Sequence, residues 1–311
     1  MSRIRRMVPA PLRRAAKRIL LGMSAEPLIQ RVTGDGPEGP TLLHRARSES
    51  EWRDWASAHA AQLAPDAARA MMAHALKYGV TVPMFGRVAA ADVQLAGDEP
   101  RESLLALGLN ARLRATLQVL AAQPVAHETW TARIYAHEAL TTFALAMRGR
   151  YARFVGSEYA PDEDAARAIW PVPAVDIMQS PFPDACFDIV LTNEVLEHVP
   201  DLMAALSETV RILRPGGKLI GTFPFDWGAA TTDIRARLTP DGIEHVKPPE
   251  YHGNPVDPEG GSLVFQIPGW DILDMCRAAG FSDASMVFTG SGRLGITSRD
   301  IPGVFVIEAT R

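Results

Sequence analysis

The alternation of strand-like and helix-like segments after about Thr129 constrains the fold of this chain more than any other feature. Short apolar runs, such as Arg153–Glu158 and Phe187–Thr192, take turns with amphipathic segments, such as Leu202–Leu213. Strands that are apolar along most of their length are typical of a parallel sheet that is covered by helices on both faces. The pattern therefore predicts an α/β domain over residues 129–311.

The end of the chain predicts a different kind of strand pairing. After a predicted helix over Trp270–Ala279 come two strand candidates, Ala284–Thr289 and Val304–Ala309, joined only by a glycine-bearing loop. A parallel pair needs a crossover connection of roughly a dozen residues or more, so these two strands should pair antiparallel. A parallel sheet that ends in an antiparallel hairpin differs from nicotinamide-binding folds, whose strands are all parallel. A nicotinamide-dependent enzyme is therefore the weakest functional alternative for this chain.

The region before residue 129 divides into two parts. Residues 1–45 carry basic residues, glycine and proline without sustained periodicity, which indicates an arm. Residues 46–128 predict a smaller, mainly helical domain. Two short amphipathic helices are expected on either side of Pro65, and Arg101–Ala122 is also helical in pattern.

Charge is distributed unevenly along the chain. The formal net charge is −4, yet the first residues are strongly basic and the remainder is acidic. The basic side chains at the start are Arg3, Arg5, Arg6, Arg13, Arg14, Lys17 and Arg18. This basic arm is open to three interpretations: peripheral contact with anionic lipid, a transit-like segment, or a solvated terminus. The acidic remainder excludes an electrostatic footprint for nucleic acid, so no nucleic-acid partner is expected.

Composition excludes several classes of protein. Hydrophobic residues make up 47% of the chain, but no apolar run approaches the roughly 20 residues that span a bilayer, so no integral membrane segment is expected. The chain has 2 cysteines, which excludes a disulfide framework and a zinc site built from cysteines alone. A cytoplasmic location is the expectation that follows.

One stretch of sequence carries a family resemblance. It contains Asp176, a Pro-Phe-Pro turn, Phe187-Asp188 at a strand start, a Glu-His-Val tripeptide and Leu213-Arg-Pro-Gly-Gly, in that order. This series resembles class I S-adenosylmethionine-dependent methyltransferases of the small-molecule type (methyltransferase type 11). The resemblance covers residues 129–311. It implies a Rossmann-like seven-stranded sheet, S-adenosyl-L-methionine as cofactor, and methyl transfer to a small-molecule or sugar-bearing acceptor.

Four residues are the first candidates for cofactor binding. Glu158 ends the second predicted strand, where a carboxylate is suited to accept hydrogen bonds from two ribose hydroxyls. The resemblance implies that Asp176 accepts from the adenine amino group, that Ile177 lies beside the ring, and that Asn193 faces the sulfonium end. The structural alternatives are that Glu158 is a solvated strand end and that Asp176 caps a turn.

The loop after the first strand departs from the family pattern. Most members carry a glycine-rich loop there, whereas Ile134–Thr141 contains no glycine. The methionine end of the cofactor would then lie against His137 and Glu138. Glu138 either receives the cofactor's ammonium group or stabilises the start of a helix over Glu138–Gly149. The alternative function is a non-catalytic binding or scaffolding protein that has lost cofactor binding with its glycines.

A second resemblance concerns residues before the α/β domain. Val82-Pro-Met-Phe85-Gly and the stretch from Leu104 to Leu107 resemble a zinc-ribbon segment in which Cys-x2-Cys pairs stand at both places. The four positions here are apolar and cannot bind zinc. The sequence therefore predicts no metal site, and a small cluster of these four side chains in place of the metal.

The long segment between the fifth strand and the last helix is the predicted acceptor side. Residues 224–267 are too many for a plain loop and read as an insert over the strand ends. Its His245, Tyr251 and His252, together with His198 of the Glu-His-Val stretch, are candidate bases for an acceptor hydroxyl. The alternative for each histidine is a satisfied structural group. No Asn/Asp-Pro-Pro-Tyr sequence follows the fourth strand, which argues against amino groups of DNA bases as acceptors.

Overall fold

The computed structural model describes residues 37–311. Helices and strands of the N-terminal part are short and alternate along the chain. The helices are α1 Glu49–Ala58, α2 Pro65–Tyr78, α3 Pro100–Ser103 and α4 Ala111–Ala121; the strands are β1 Thr41–Ala46, β2 Val80–Val82, β3 Gly86–Val88, β4 Gln94–Leu95 and β5 Leu104–Leu105. The helix break at Pro65 is confirmed. The predicted helical segment Arg101–Ala122 is instead interrupted by β5.

The remaining elements follow the predicted strand–helix alternation. The helices are α5 Thr142–Arg150, α6 Glu163–Ala168, α7 Leu202–Ile212 and α8 Ile272–Ala279. The strands are β6 Arg133–Ala136, β7 Arg153–Gly156, β8 Phe187–Asn193, β9 Leu213–Thr222, β10 Asp233–Ile234, β11 Ala236–Thr239, β12 Gly242–His245, β13 Tyr251–His252, β14 Ser262–Leu263, β15 Gln266–Ile267, β16 Asp283–Ser291 and β17 Val304–Thr310. Within residues 37–311, no helix has the length and apolar character needed to cross a membrane.

A seven-stranded sheet organises the molecule. Its strand order is β1-β16-β17-β9-β8-β6-β7. Strands β7, β6, β8 and β9 run parallel, and β17, β16 and β1 pair antiparallel. The predicted parallel sheet with a C-terminal antiparallel hairpin is confirmed. Because β6 is flanked by β7 on one side and by β8 on the other, the strand order reverses at β6, and ligands bind at such reversals in open α/β sheets.

The edges of the sheet differ from the prediction in two respects. Strand β1 lies at one edge and pairs with β16, although its residues fall mostly within the predicted arm of residues 1–45. Residues Ala174–Asp176, which the strand–helix alternation indicates as the end of a third strand, form only an isolated parallel bridge between Ala174 and Glu158. The basic side chains of the arm lie outside the described residues. The seventh strand is thus supplied by the N-terminal region.

The two faces of the sheet carry separate apolar layers. On one face, Tyr135, Val190 and Leu219 pack with α7 and α8. On the other face, neighbouring strand residues such as Ile134 and Ile189 pack with α4 and α5. Every residue of β8 is buried, as expected for a central strand with helices on both faces. This double coverage leaves the carboxyl ends of the parallel strands as the place where polar side chains collect.

The four positions of the zinc-ribbon-like segment do not form one cluster. Val82 and Leu104 are both fully buried in the same apolar layer, and Phe85 packs against it. Leu107 instead has 51% of its surface exposed and a positive φ of 55°. The expected four-residue cluster is therefore wrong at Leu107, because the turn that carries it points its side chain to solvent.

The insert of residues 224–267 folds into short antiparallel ribbons. Strand β10 pairs with β15, β11 with β12, and β13 with β14. The C-terminal end of the insert is hydrogen-bonded to the segment after β8, since Gln266 Nε2 donates to the carbonyls of Leu196 at 2.7 Å and Val199 at 2.9 Å. The insert is thus built from short antiparallel strand pairs and contacts the segment that follows β8.

Helix α7 begins with a side-chain cap, which provides a test of a single local contact. The Asp201 carboxylate accepts from the backbone N–H of Ala204 at 2.9 Å. Substitution D201A should lower the free energy of unfolding by about 1 kcal/mol, because an N–H of the first turn loses its acceptor. D201N keeps an acceptor oxygen and should lose much less. Urea unfolding followed by circular dichroism measures both, and equal losses in the two variants would contradict the capping role.

Candidate functional site

Two predicted site residues meet at the reversal of strand order. The Asn193 side-chain amide, at the end of β8, donates to Glu138 Oε1 at 2.7 Å, and Thr116 Oγ1 of α4 donates to Asn193 Oδ1 at 2.8 Å. The other Glu138 oxygen accepts from the hydroxyl of Thr141. Burial raises the pKa of Glu138. The structure therefore joins the loop after β6, the end of β8 and helix α4 through one buried polar network.

The helix after this loop starts later than predicted. Helix α5 begins at Thr142 rather than at Glu138, and Thr141 is its N-cap, because Thr141 Oγ1 accepts from Ala144 N at 3.1 Å. Glu138 therefore does not cap the helix itself but binds the residue that does. Both of its oxygens have partners within the protein, although a carboxylate retains further lone pairs for a ligand.

Glu158 fixes the glycine-free loop. Its Oε1 accepts from the backbone N–H groups of Ala139 and Leu140, each at 2.8 Å, and the side chain is buried. The loop approaches β7 closely at Gly156, where a Cβ atom would lie 2.5 Å from the carbonyl oxygen of Glu138. Position 156 of β7 therefore requires glycine, because any larger side chain would collide with the loop backbone. The structural alternative for Glu158, a solvated strand end, is wrong, because the side chain is buried and its carboxylate is the acceptor for the loop amides.

His137 lies at the carboxyl end of β6 and is buried. Its ring is T-shaped against Tyr135, with centroids 5.1 Å apart, and its Nδ1 atom has no hydrogen-bond partner. Burial lowers the pKa of His137 to about 3, so the imidazole is neutral at physiological pH. An unpaired buried ring nitrogen is a group that a ligand can satisfy.

Asp176 and Ile177 follow the isolated bridge beside β7. Asp176 Oδ1 accepts from the backbone N–H of Met178 at 2.8 Å, which is the turn-capping alternative. Ile177 is buried in the apolar layer that includes α7. The turn occupies Oδ1 of Asp176. Adenine binding by Asp176 and Ile177 stays a prediction.

The predicted base candidates separate into two groups. His198, directly after β8, and His252, in the insert, have ring centroids 5.1 Å apart. His245 and Tyr251 are exposed, and 55% of the Tyr251 surface is open to solvent. The insert therefore brings His252 alone to His198. His245 and Tyr251 are not part of this pair, because their strands turn those side chains outward.

The sequence reasoning missed Glu197, which lies between the two histidines. Its carboxylate is fully buried, and neither oxygen has a hydrogen-bond partner. Glu197 Oε1 lies 3.5 Å from His198 Nε2 and 3.6 Å from His252 Nδ1. Its position directly before His198, in the Glu-His-Val tripeptide, was the signal in the sequence that could have identified it.

An ion pair with the N-terminal part was also missed. Glu194, which follows β8 with a positive φ of 54°, accepts from Arg101 Nη2 of α3 at 2.7 Å. Burial alone would raise the pKa of Glu194, but the charges of Arg101 and Arg112 outweigh it and hold that pKa below its usual range. A left-handed conformation is costly for glutamate, so this ion pair holds the backbone in an unfavourable shape next to Asn193.

Comparison with known proteins finds similarity to methyltransferases. Residues 138–221 match the methyltransferase domain family. The 27-O-demethylrifamycin SV methyltransferase of Amycolatopsis mediterranei is 47% identical over 30% of this chain and 39% of its own length. A probable S-adenosylmethionine-dependent methyltransferase of Mycolicibacterium smegmatis is 35% identical over 50% of this chain and 54% of its own. The chain thus spans about half the length, or less, of these curated relatives.

Among solved structures, one similar protein is 1,6-didemethyltoxoflavin-N1-methyltransferase of Burkholderia thailandensis, with bound 1,6-didemethyltoxoflavin and S-adenosylhomocysteine. It is 18% identical, with a TM-score of 0.37, over 65% of this chain and 78% of that chain. The sheet order described above is the Rossmann-like arrangement predicted for class I methyltransferases. The domain match is to a methyltransferase domain, and the two curated relatives named above are methyltransferases.

Proposed function

We propose that this chain is an S-adenosylmethionine-dependent methyltransferase that acts on a small molecule, including sugar-bearing metabolites. The observation that carries the proposal is the polar cluster of His137, Glu138, Glu158 and Asn193, which collects at the reversal of strand order. Carboxyl ends of parallel strands at such a reversal are where cofactors of this shape bind. The domain match begins within this cluster, at residue 138.

The residues present fit the cofactor. His137 Nδ1 is a buried polar atom without a partner, and Glu158 Oε1 alone accepts the two loop amides. A carboxylate offers about four acceptor positions, so Glu158 retains capacity for ribose hydroxyls. In this proposal Asp176 and Ile177 flank the adenine, and Asn193 and Glu138 lie at the methionine end. The bound cofactor would supply a methyl group on a positively charged sulfur.

Transfer of that methyl group is an in-line displacement, which depends mainly on alignment of the two reactants. The chain's own contribution is therefore positional. The Glu138–Asn193–Thr116 hydrogen bonds hold the loop after β6 against β8, and the insert contacts the segment after β8. The acceptor would lie on the insert side, next to His198 and His252. His245 and Tyr251, which face solvent, are not proposed as bases.

The proposal is tested by titration of the full chain with S-adenosylhomocysteine in a calorimeter. We expect saturable binding of one equivalent, and stabilisation against heat that grows with ligand concentration, about 2.7 kcal/mol at a free concentration 100 times Kd. As a matched control, adenosine 5′-monophosphate, which lacks the homocysteine end, should bind much more weakly. Incubation with labelled S-adenosylmethionine and candidate hydroxyl or amine acceptors then tests transfer.

A non-catalytic protein of the same fold is the second candidate, and one observation favours it. The loop amides of Ala139 and Leu140, which a glycine-rich loop would leave open, are already bonded to Glu158. If no heat and no thermal stabilisation accompany saturating S-adenosylhomocysteine, the methyltransferase proposal is wrong and the scaffold alternative is favoured.

A further inference from the structure

The geometry points to a divalent metal site formed by Glu197, His198 and His252, a site that sequence reasoning did not predict. One ligand atom of each residue, a carboxylate oxygen or an imidazole nitrogen, lies within 4.8 Å of the other two. His198 comes from the segment directly after β8, and His252 comes from strand β13 of the insert. A cation there would join the insert to the end of the sheet.

The state of the Glu197 carboxylate is the first reason for this assignment. The side chain has no exposed surface, and both oxygens lack a hydrogen-bond partner. A buried carboxylate without hydrogen bonds is costly, because it loses its hydration and the nearby imidazoles of His198 and His252 offset that loss only in part. Its two neighbouring ring nitrogens are at 3.5 and 3.6 Å, beyond hydrogen-bond distance. A cation between these atoms supplies the missing partner.

The spacing of the ligand atoms is the second reason. Metal–ligand bonds of about 2.1 Å in a tetrahedral site place the ligand atoms about 3.4 Å from one another. The observed separations from Glu197 Oε1 are 3.5 Å to His198 Nε2 and 3.6 Å to His252 Nδ1. Both histidine nitrogens are therefore at the distance from Glu197 Oε1 that a bound ion requires, and all three ligand atoms lie within 4.8 Å of one another.

The outer contacts of the histidines are the third reason. His198 Nδ1 lies 2.9 Å from the carbonyl oxygen of Leu263, and His252 Nε2 lies 3.3 Å from Glu250 Oε1. Since a carbonyl or carboxylate oxygen can only accept, each of these nitrogens carries the hydrogen. In the neutral imidazole the other ring nitrogen, which faces Glu197, then presents its lone pair, and a bound cation takes the place of a proton there. A second acceptor behind each imidazole is the arrangement that orients histidine ligands of metals.

The ligand set indicates the class of cation. Two imidazoles with one carboxylate suit zinc and other divalent first-row transition metals, whereas magnesium and calcium prefer oxygen ligands. Three protein ligands leave at least one position for water or for an oxygen of a bound small molecule. In this assignment His198 and His252 hold the ion rather than act as bases, and the assignment does not depend on cofactor binding.

Cobalt titration of the chelator-treated full chain tests the site. We expect one equivalent of Co2+ to bind, with visible absorption characteristic of nitrogen and oxygen ligands, and Zn2+ to displace it while Mg2+ does not. H252A should weaken Co2+ binding by about 100-fold or more, because loss of an outer partner alone costs roughly 10- to 100-fold. E250Q, which alters only such a partner of His252, should fall between H252A and the parent.

The matched control is H245A, which removes an exposed histidine of the same insert and should bind Co2+ like the parent. Because His252 lies in a half-exposed ribbon, its replacement should leave the circular dichroism spectrum unchanged, so lost binding is not lost folding. The site is ruled out if the parent binds no stoichiometric Co2+ or Zn2+, or if H252A binds either ion as tightly as the parent. Retained S-adenosylhomocysteine binding by H252A would separate this result from the proposed function.

Discussion

Replacement of Arg114 by methionine should lower the free energy of unfolding by about 3 kcal/mol or more, because a buried acceptor that loses its partner costs about 1–3 kcal/mol and Arg114 serves several. Arg114 lies on α4 and has no exposed surface. Its guanidinium donates to four backbone carbonyls: Leu294 at 2.8 Å, Leu104 at 2.9 Å, Leu109 at 2.5 Å and Gly295 at 2.6 Å. Methionine fills similar volume but donates no hydrogen bond, so buried carbonyl oxygens are left without partners.

The expected loss is large because Arg114 connects segments that are far apart in sequence. Leu104 and Leu109 belong to the N-terminal part, whereas Leu294 and Gly295 form the loop between β16 and β17. R114K should recover little of the loss, because one ammonium group cannot reach acceptors arranged around a planar fork. Urea unfolding followed by tryptophan fluorescence measures both variants.

The control for Arg114 is R237M, since Arg237 is an exposed arginine on β11. A surface substitution of this kind should change the free energy of unfolding by no more than about 0.5 kcal/mol. If R114M were as mild as R237M, the four hydrogen bonds would not hold the N-terminal part against the C-terminal hairpin, and this account of Arg114 would be wrong.

The sequence predicted the parallel strands and the C-terminal hairpin because these features depend on local patterns. Apolar runs mark β8 and β9, and the polar, glycine-bearing loop before β17 has no pattern for a crossover helix. Strand β1 was not predicted, because its partner β16 lies far along the chain and nothing local distinguishes an edge strand from an arm. The same limit applies to Arg114, because two of its acceptors, Leu294 and Gly295, lie in a loop 180 and 181 residues away along the chain.

Within the candidate site, residue identity was easier to predict than residue partners. Glu158 and Asn193 were selected by their places at strand ends, and both lie at the reversal of strand order. Their contacts were not foreseen: Glu158 binds loop amides and Asn193 binds Glu138. The approach of Glu197 to His252 depends on how the insert folds back, which has no periodic signal in the sequence.

Substitution E158A should produce two separate losses. Two backbone N–H groups, of Ala139 and Leu140, lose their acceptor at the buried end of the sheet, which should lower the free energy of unfolding by about 1–3 kcal/mol. Under the proposed function, loss of the charged acceptor for the ribose should also weaken S-adenosylhomocysteine binding about 10- to 100-fold, since about 1.4 kcal/mol corresponds to tenfold.

The conservative variant E158Q separates these effects. Its amide oxygen can accept from the N–H groups of Ala139 and Leu140 as Oε1 does, so the free energy of unfolding should be close to that of the parent. It loses the negative charge and half of the acceptor positions. Its affinity for S-adenosylhomocysteine should therefore lie between those of the parent and E158A. Urea unfolding gives the first quantity and calorimetric titration gives the second.

The glutamate of α6 provides the control. Glu163 is exposed, and its ion pair with Arg167 is on the surface, so E163A should change neither stability nor cofactor affinity appreciably.

Unchanged affinity in E158A would remove Glu158 from the cofactor site while leaving its role in the loop intact. Unchanged stability with reduced affinity would instead mean that the loop keeps its shape without Glu158, and that the carboxylate serves the ligand alone. The two measurements therefore decide whether the glycine-free loop is held by this side chain, as its hydrogen bonds indicate.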